Sequence, residues 1–129
     1  MAKILVVEDD PNNVEILHDL LTDEGYDLCV AGNQEDAVSM ASAEKPDLIL
    51  MDLQLPLSAT GEEVDNEAGL GATRVIKAND ESRDVPIIAL TAHNMFHQRE
   101  RIFDAGCTDL QAKPYDFDAL LATIEKHLK

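Results

Sequence analysis

Five short apolar runs, separated by amphipathic stretches, set the architecture of the chain. They are Ile4-Leu5-Val6-Val7, Leu28-Cys29-Val30-Ala31, Leu48-Ile49-Leu50-Met51, Ile87-Ile88-Ala89-Leu90 and the weaker Asp109-Leu110-Gln111-Ala112. The first four are nearly continuous in apolar character, the pattern of strands covered on both faces. The stretches between them are helical. Val14, Leu17 and Leu21 keep a 3.6-residue period in the first, and Phe117, Leu120, Leu121, Ile124 and Leu128 in the last. The punctuation agrees: Asp10-Pro11 predicts an N-cap followed by proline at the first helical position. Asn33 and Asp36 have the spacing of a capping-box variant, and Gly25 and Gly106 sit where helices should end. Strand and helix alternating five times predict an α/β fold, a doubly wound (βα)5 chain around a five-stranded parallel sheet.

One stretch departs from that rhythm. From about residue 57 to 68, Leu57-Ser58-Ala59-Thr60-Gly61-Glu62-Glu63-Val64-Asp65-Asn66-Glu67-Ala68 is poor in apolar residues, acidic, without a base and without a clear period. It is expected to be a long loop after the third strand.

The 129 residues suit one domain, residues 1–129, and no linker or repeat divides them. Such a chain buries about two thirds of its unfolded surface, enough for one real core. The net charge of −16 opposes direct binding to nucleic acid, where affinity comes largely from Lys and Arg on phosphates. No apolar run approaches the roughly 18–20 residues of a membrane span. The N-terminus runs straight into a strand and leaves no room for a signal peptide, which predicts a cytoplasmic protein. Cys29 and Cys107 are too few and too far apart for a Cys-rich metal or redox motif, and are expected as reduced thiols packed like small apolar groups.

The chemistry lies at the strand ends. The first strand ends at Glu8-Asp9-Asp10, the third at Asp52, the fourth at Thr91 and the fifth at Lys113. With strand order 2-1-3-4-5, the switch point where doubly wound sheets bind ligands falls between the first and third strands. Each residue alone has an ordinary explanation: a turn aspartate, a strand-end threonine, a solvated lysine. Asp10 keeps such an explanation as the cap before Pro11. The conjunction points to chemistry. Close carboxylates repel, so one takes up a proton or a cation binds. Hard oxygen donors suit Mg²⁺ or Mn²⁺. A carboxylate nucleophile beside such a cation, a lysine and a hydroxyl is equipped to take a phosphoryl group.

The blocks Ile4-Leu5-Val6-Val7-Glu8-Asp9-Asp10-Pro11, Pro46-Asp47-Leu48-Ile49-Leu50-Met51-Asp52-Leu53-Gln54-Leu55-Pro56, Val85-Pro86-Ile87-Ile88-Ala89-Leu90-Thr91-Ala92 and Lys113-Pro114 resemble the signature blocks of two-component response-regulator receiver domains. The resemblance covers essentially the whole chain in order. It implies a flavodoxin-like receiver without an output domain, acting in two-component or phosphorelay signalling. By position it implies Asp52 as phospho-acceptor, Thr91 and Lys113 as groups that bind the phosphoryl oxygens, and Mg²⁺ (with Mn²⁺ able to substitute) on Asp9, Asp52 and the backbone carbonyl of Gln54, with Glu8 acting through water. It implies a cis Lys113-Pro114 bond. The donor would be a sensor histidine kinase or a phosphotransfer protein. A downstream protein target would meet the face formed by the fourth helix, fifth strand and fifth helix, and homodimerisation stays open.

Three departures stand out. Leu110 occupies the place where the family often has a switching aromatic residue. Gly69-Leu70-Gly71-Ala72-Thr73-Arg74, which matches the start of the third helix, arrives late, so the acidic stretch is an insertion, either a tolerated surface loop or a partner-specific element. Gln54 and His93 hold the two places that tune phosphoryl hydrolysis in the family. Rival functions fare worse. An Mg²⁺-dependent aspartyl phosphohydrolase generally has a second acid where Gln54 stands. A flavin carrier needs a phosphate-cradling turn where Glu8-Asp9-Asp10 would repel one. A degenerate receiver, serving only as an interaction module, would lack acceptor-site residues that are all present here.

Overall fold

The computed structural model describes residues 2–58, 64–65, 68–92, 99–113 and 116–128. Seven strands and five helices follow one another among them. They are β1 (Lys3–Val7), α1 (Pro11–Asp23), β2 (Asp27–Ala31), α2 (Gln34–Ala43), β3 (Leu48–Asp52), β4 (Leu55–Pro56), β5 (Val64–Asp65), α3 (Ala68–Ala78), β6 (Ile87–Ala92), α4 (Arg99–Ala105), β7 (Asp109–Lys113) and α5 (Phe117–Leu128). Five strands form one parallel sheet in the order β2-β1-β3-β6-β7. This is the expected 2-1-3-4-5 arrangement, because β4 and β5 stand apart as a small antiparallel ribbon.

Strand periodicity divides the core into two layers. Leu5, Val7, Ile49, Met51, Ile87 and Ala89 face α2, α3 and α4, where Ala37, Ala41, Leu70, Ile76 and Ile102 meet them. Ile4, Val6, Leu48, Leu50, Ile88 and Leu90 face Leu17 and Leu21 of α1 and Leu120 and Ile124 of α5. Two expectations of burial need correction. Leu28 and Cys29 of β2 are half-buried and Val30 is exposed, because β2 is an edge strand. Phe117 lies at the first position of α5, a turn before the helix meets the sheet, and its ring is exposed.

The caps follow the sequence. Asp10 Oδ1 accepts from Asn12 N–H at 2.9 Å with Pro11 beginning the helix. Asn33 Oδ1 accepts from Asp36 N–H at 2.8 Å, and the Asp36 carboxylate receives the Asn33 side-chain amide in return. Gly25 and Gly106, just beyond α1 and α4, have φ of 91° and 116°, conformations that a Cβ would strain.

The acidic insertion is not wholly a loop. Leu55 and Pro56 pair antiparallel with Asp65 and Val64, so its stem is a two-stranded ribbon. Beside the ribbon, Leu57 C=O accepts from Glu35 N–H at 3.1 Å and satisfies a free donor in the first turn of α2. Residues 59–63 and 66–67 lie outside the described residues. Helix α3 then begins at Ala68 and presses onto the end of β3. Gly69 N–H donates to Leu53 C=O at 3.2 Å. A Cβ on Gly69 would meet the Asp52 carbonyl oxygen and stand 2.5 Å from Leu53 Cα. Only glycine allows that approach.

Candidate functional site: an acidic pocket at the sheet switch point

Three charged side chains converge by strand periodicity. Val6 and Leu50 point into the α1–α5 layer, so Glu8 and Asp52, two residues further along, project to the same side. Gln111 also faces α5, where its side chain donates to Thr123 Oγ1 at 2.8 Å, and Lys113 lies two residues beyond it. β1 and β3 are neighbours at the switch point, and β7 is two strands from β3 across β6. The lysine's length closes that gap.

Lys113 Nζ donates to Asp52 Oδ2 at 2.8 Å and stands 3.7 Å from Glu8 Oε2. Asp52 Oδ1 accepts from Gln54 N–H at 3.0 Å, so both carboxylate oxygens of Asp52 are engaged. One carboxylate oxygen from each of Glu8, Asp9 and Asp52 lies within 4.8 Å of the other two, close enough to share a cation. Glu8 and Asp52 are buried, and Asp9 is exposed at the mouth. Glu8 Oε1 accepts from Asn13 Nδ2 at 2.7 Å, whereas Glu8 Oε2 has no hydrogen-bond partner among the described residues.

The charges do not balance. Among the described residues one ammonium faces three carboxyl groups. Burial, then the adjoining Asp52 carboxylate, pushes the Glu8 carboxyl up to about 8, with Asn13 and Lys113 pulling the other way. Asp9 is raised as well, first by desolvation and then by Asp52. Burial alone would lower the Lys113 ammonium, but its bond to Asp52 and the charges of Asp52 and Glu8 outweigh that and raise it. A pocket with this excess of negative charge takes up a proton or a divalent cation.

Thr91 is buried at the end of β6, opposite Ala112 and one residue past Leu90, the register partner of Asp52. Gln54 is exposed beside the pocket. His93 and the Lys113-Pro114 bond fall partly or wholly outside the described residues. Leu110 packs in the core with Ala89, Ile102, Ala105 and Cys107. Cys29 and Cys107 are free thiols, the latter buried and pushed up to about 11 by desolvation. Asn13 was not apparent as a site residue from sequence. Its signal is an amide in the first turn of the helix that follows the Glu8-Asp9 pair.

The comparisons agree with this geometry. Residues 4–125 match the family model described as the response regulator receiver domain. The polar-differentiation response regulator DivK of Brucella anthropi is 37% identical over 125 residues, which are 97% of this chain and 94% of that protein. The receiver domain of a Pseudomonas aeruginosa sensor histidine kinase, solved with a magnesium ion coordinated in its active-site cleft, superposes with a TM-score of 0.83 at 35% identity, covering 98% of this chain and 97% of that one. A chemotaxis response regulator of Vibrio cholerae, 23% identical, shares the fold with a TM-score of 0.84 over 98% of both chains. Among the described residues no helix is long and apolar enough to cross a membrane. A match along nearly the whole chain, with the acidic pocket where ligands bind doubly wound sheets, makes this protein a member of the response-regulator receiver family of two-component signalling.

Proposed function

We propose that Asp52 is the phosphoryl acceptor and that Mg²⁺ assists it from the same pocket. The observation that carries this reading is Asp52 itself: a buried carboxylate with one oxygen on Lys113 and the other on Gln54 N–H, among more acids than its surroundings neutralise. The donor set fits the ion. Its atoms are hard oxygens, and one of them, Glu8 Oε2, is buried without a hydrogen-bond partner among the described residues. Asp9, Asp52 and the Gln54 carbonyl would hold the ion directly and Glu8 through water, with Mn²⁺ as a substitute. The ion would supply positive charge for the oxygens of the incoming phosphoryl group.

The remaining work belongs to the chain. An Asp52 carboxylate oxygen bonds to phosphorus as the bond from phosphorus to the donor nitrogen breaks, and the electron pair leaves with that nitrogen. Lys113 moves its ammonium from the carboxylate to a phosphoryl oxygen, and the Thr91 hydroxyl donates to another. The donor is a sensor histidine kinase or a phosphotransfer protein. Modification shifts a two-state equilibrium, and the α4–β7–α5 face changes its affinity for a protein target or a second copy.

Acetyl phosphate with Mg²⁺ tests the assignment. Intact-mass measurement should find one phosphoryl group on the wild type and none on Asp52→Asn. Equal labelling of both would overturn Asp52 as acceptor, and many turnovers without an adduct would favour a phosphohydrolase.

A further inference from the structure

We infer that Asn13 is a positioning residue for the cation pocket: it ties down one oxygen of Glu8 and so presents the other to the ion. The inference rests on the Mg²⁺ reading above and deepens it. Asp10 caps α1 and Pro11 begins it, which fixes the first turn in which Asn13 lies. Helical side chains lean toward the N-terminus, so the Asn13 amide reaches back to the end of β1. There Nδ2 donates to Glu8 Oε1 at 2.7 Å.

The consequence appears on the other oxygen. Glu8 Oε2 is buried, lacks a hydrogen-bond partner among the described residues, and stays 3.7 Å from Lys113 Nζ. The ligating atoms of Asp9 and Asp52 share its neighbourhood. A flexible glutamate would otherwise sample several rotamers, some chelating Lys113 with both oxygens. The amide removes that freedom without adding charge. A lysine or arginine at position 13 would also anchor Glu8, but it would neutralise the field that draws the cation. Groups that orient a metal ligand from behind typically change metal affinity by about 10- to 100-fold, and Asn13, acting on a carboxylate that reaches the ion through water, belongs at the low end of that range.

Calorimetric titration of the metal-free protein with Mg²⁺ alone tests this. Asn13→Ala should weaken binding by about 10-fold, the lower end for such a partner. Asn13→Ser, too short to reach Glu8, should behave alike and replaces the alanine variant if that fails to fold. The decisive comparison is a double-mutant cycle with Glu8→Ala, in which the Asn13 substitution should change Mg²⁺ affinity no further. A wild type that binds no Mg²⁺ at millimolar concentration overturns the Mg²⁺ reading itself. Binding by Asn13→Ala as tight as wild type overturns the role of Asn13. So does the same loss in both Glu8 backgrounds, since a general structural role would weaken them alike.

Discussion

The two ends of β7 carry opposite kinds of ionic contact. At its start, Asp109 Oδ2 meets His127 Nε2 of α5 at 3.0 Å, one acid with one imidazole, both partly open to water. At its finish, Lys113 meets two almost fully buried carboxylates, with a third acid at the mouth. The first contact sets a single acid against a single partner and leaves no second carboxylate to compensate among the described residues. The second keeps uncompensated charge out of water, a local cost that only a proton or an added cation relieves. Stored repulsion therefore marks the working end of the strand, and the satisfied pair marks the end that only holds α5 in place.

The largest expected effect lies between those ends. Leu110→Ala should destabilise the protein by about 3 kcal/mol in urea titrations, as removal of a buried leucine does. A loss below about 1 kcal/mol would mean that Leu110 is not the anchor of β7. Lys113→Met comes next, at about 2 kcal/mol without Mg²⁺. That is less than the 3–5 kcal/mol of a fully buried pair, because Lys113 is partly wet and Glu8 can take up a proton. Added Mg²⁺ should recover part of the loss, and an identical loss with and without the ion would break the charge-imbalance argument.

The pH dependence separates the ends further. Glu8 titrates near 8 in the folded protein and near 4.5 unfolded, so between those values the folded state holds the extra proton. Stability without metal should therefore fall as pH rises from about 5 toward 9, and Glu8→Gln should flatten the fall. A wild-type profile already flat over that range would contradict the burial of an ionising Glu8. Asp109 has the opposite sign. Burial alone would raise it, but the His127 contact and the Leu110 N–H outweigh that and lower it. Its contribution is present above the normal Asp range and is lost as pH falls through its own lower value. The smallest effect is His127→Ala, about 0.5 kcal/mol, the scale of a partly exposed pair. Phosphoryl labelling should be unchanged; a drop would tie the far end of the strand to the chemistry.

The parts legible in sequence were those governed by local or periodic rules. Apolar runs marked the five sheet strands, and Asp10-Pro11 and Asn33 marked helix starts. Glu8, Asp9, Asp52 and Lys113 followed from a topological rule about where strand ends meet. The missed features depend on pairing across space. Two-residue strands such as β4 and β5 are too short to show a period. The exposure of β2 follows from its place at the edge rather than from its composition. Phe117 continues the apolar pattern of α5 but precedes the turn that reaches the sheet. Asn13 is an unremarkable helical residue until its amide is seen against Glu8.

The stem of the acidic insertion has a practical consequence. Leu55–Pro56 is laced to Val64–Asp65, Leu57 is fastened to α2, and Gly69 is fastened to Leu53 next to Asp52. Those ties isolate the loop after Asp52 from the chain length between Ser58 and Val64, where doubling a loop costs only about 0.6 kcal/mol. A fluorescent module spliced there should lie within a dozen residues of Asp52, the proposed acceptor, and leave its loop unchanged. That makes the insertion a graft point for a reporter of the switch, and unaltered acetyl phosphate labelling after grafting is the measure of success.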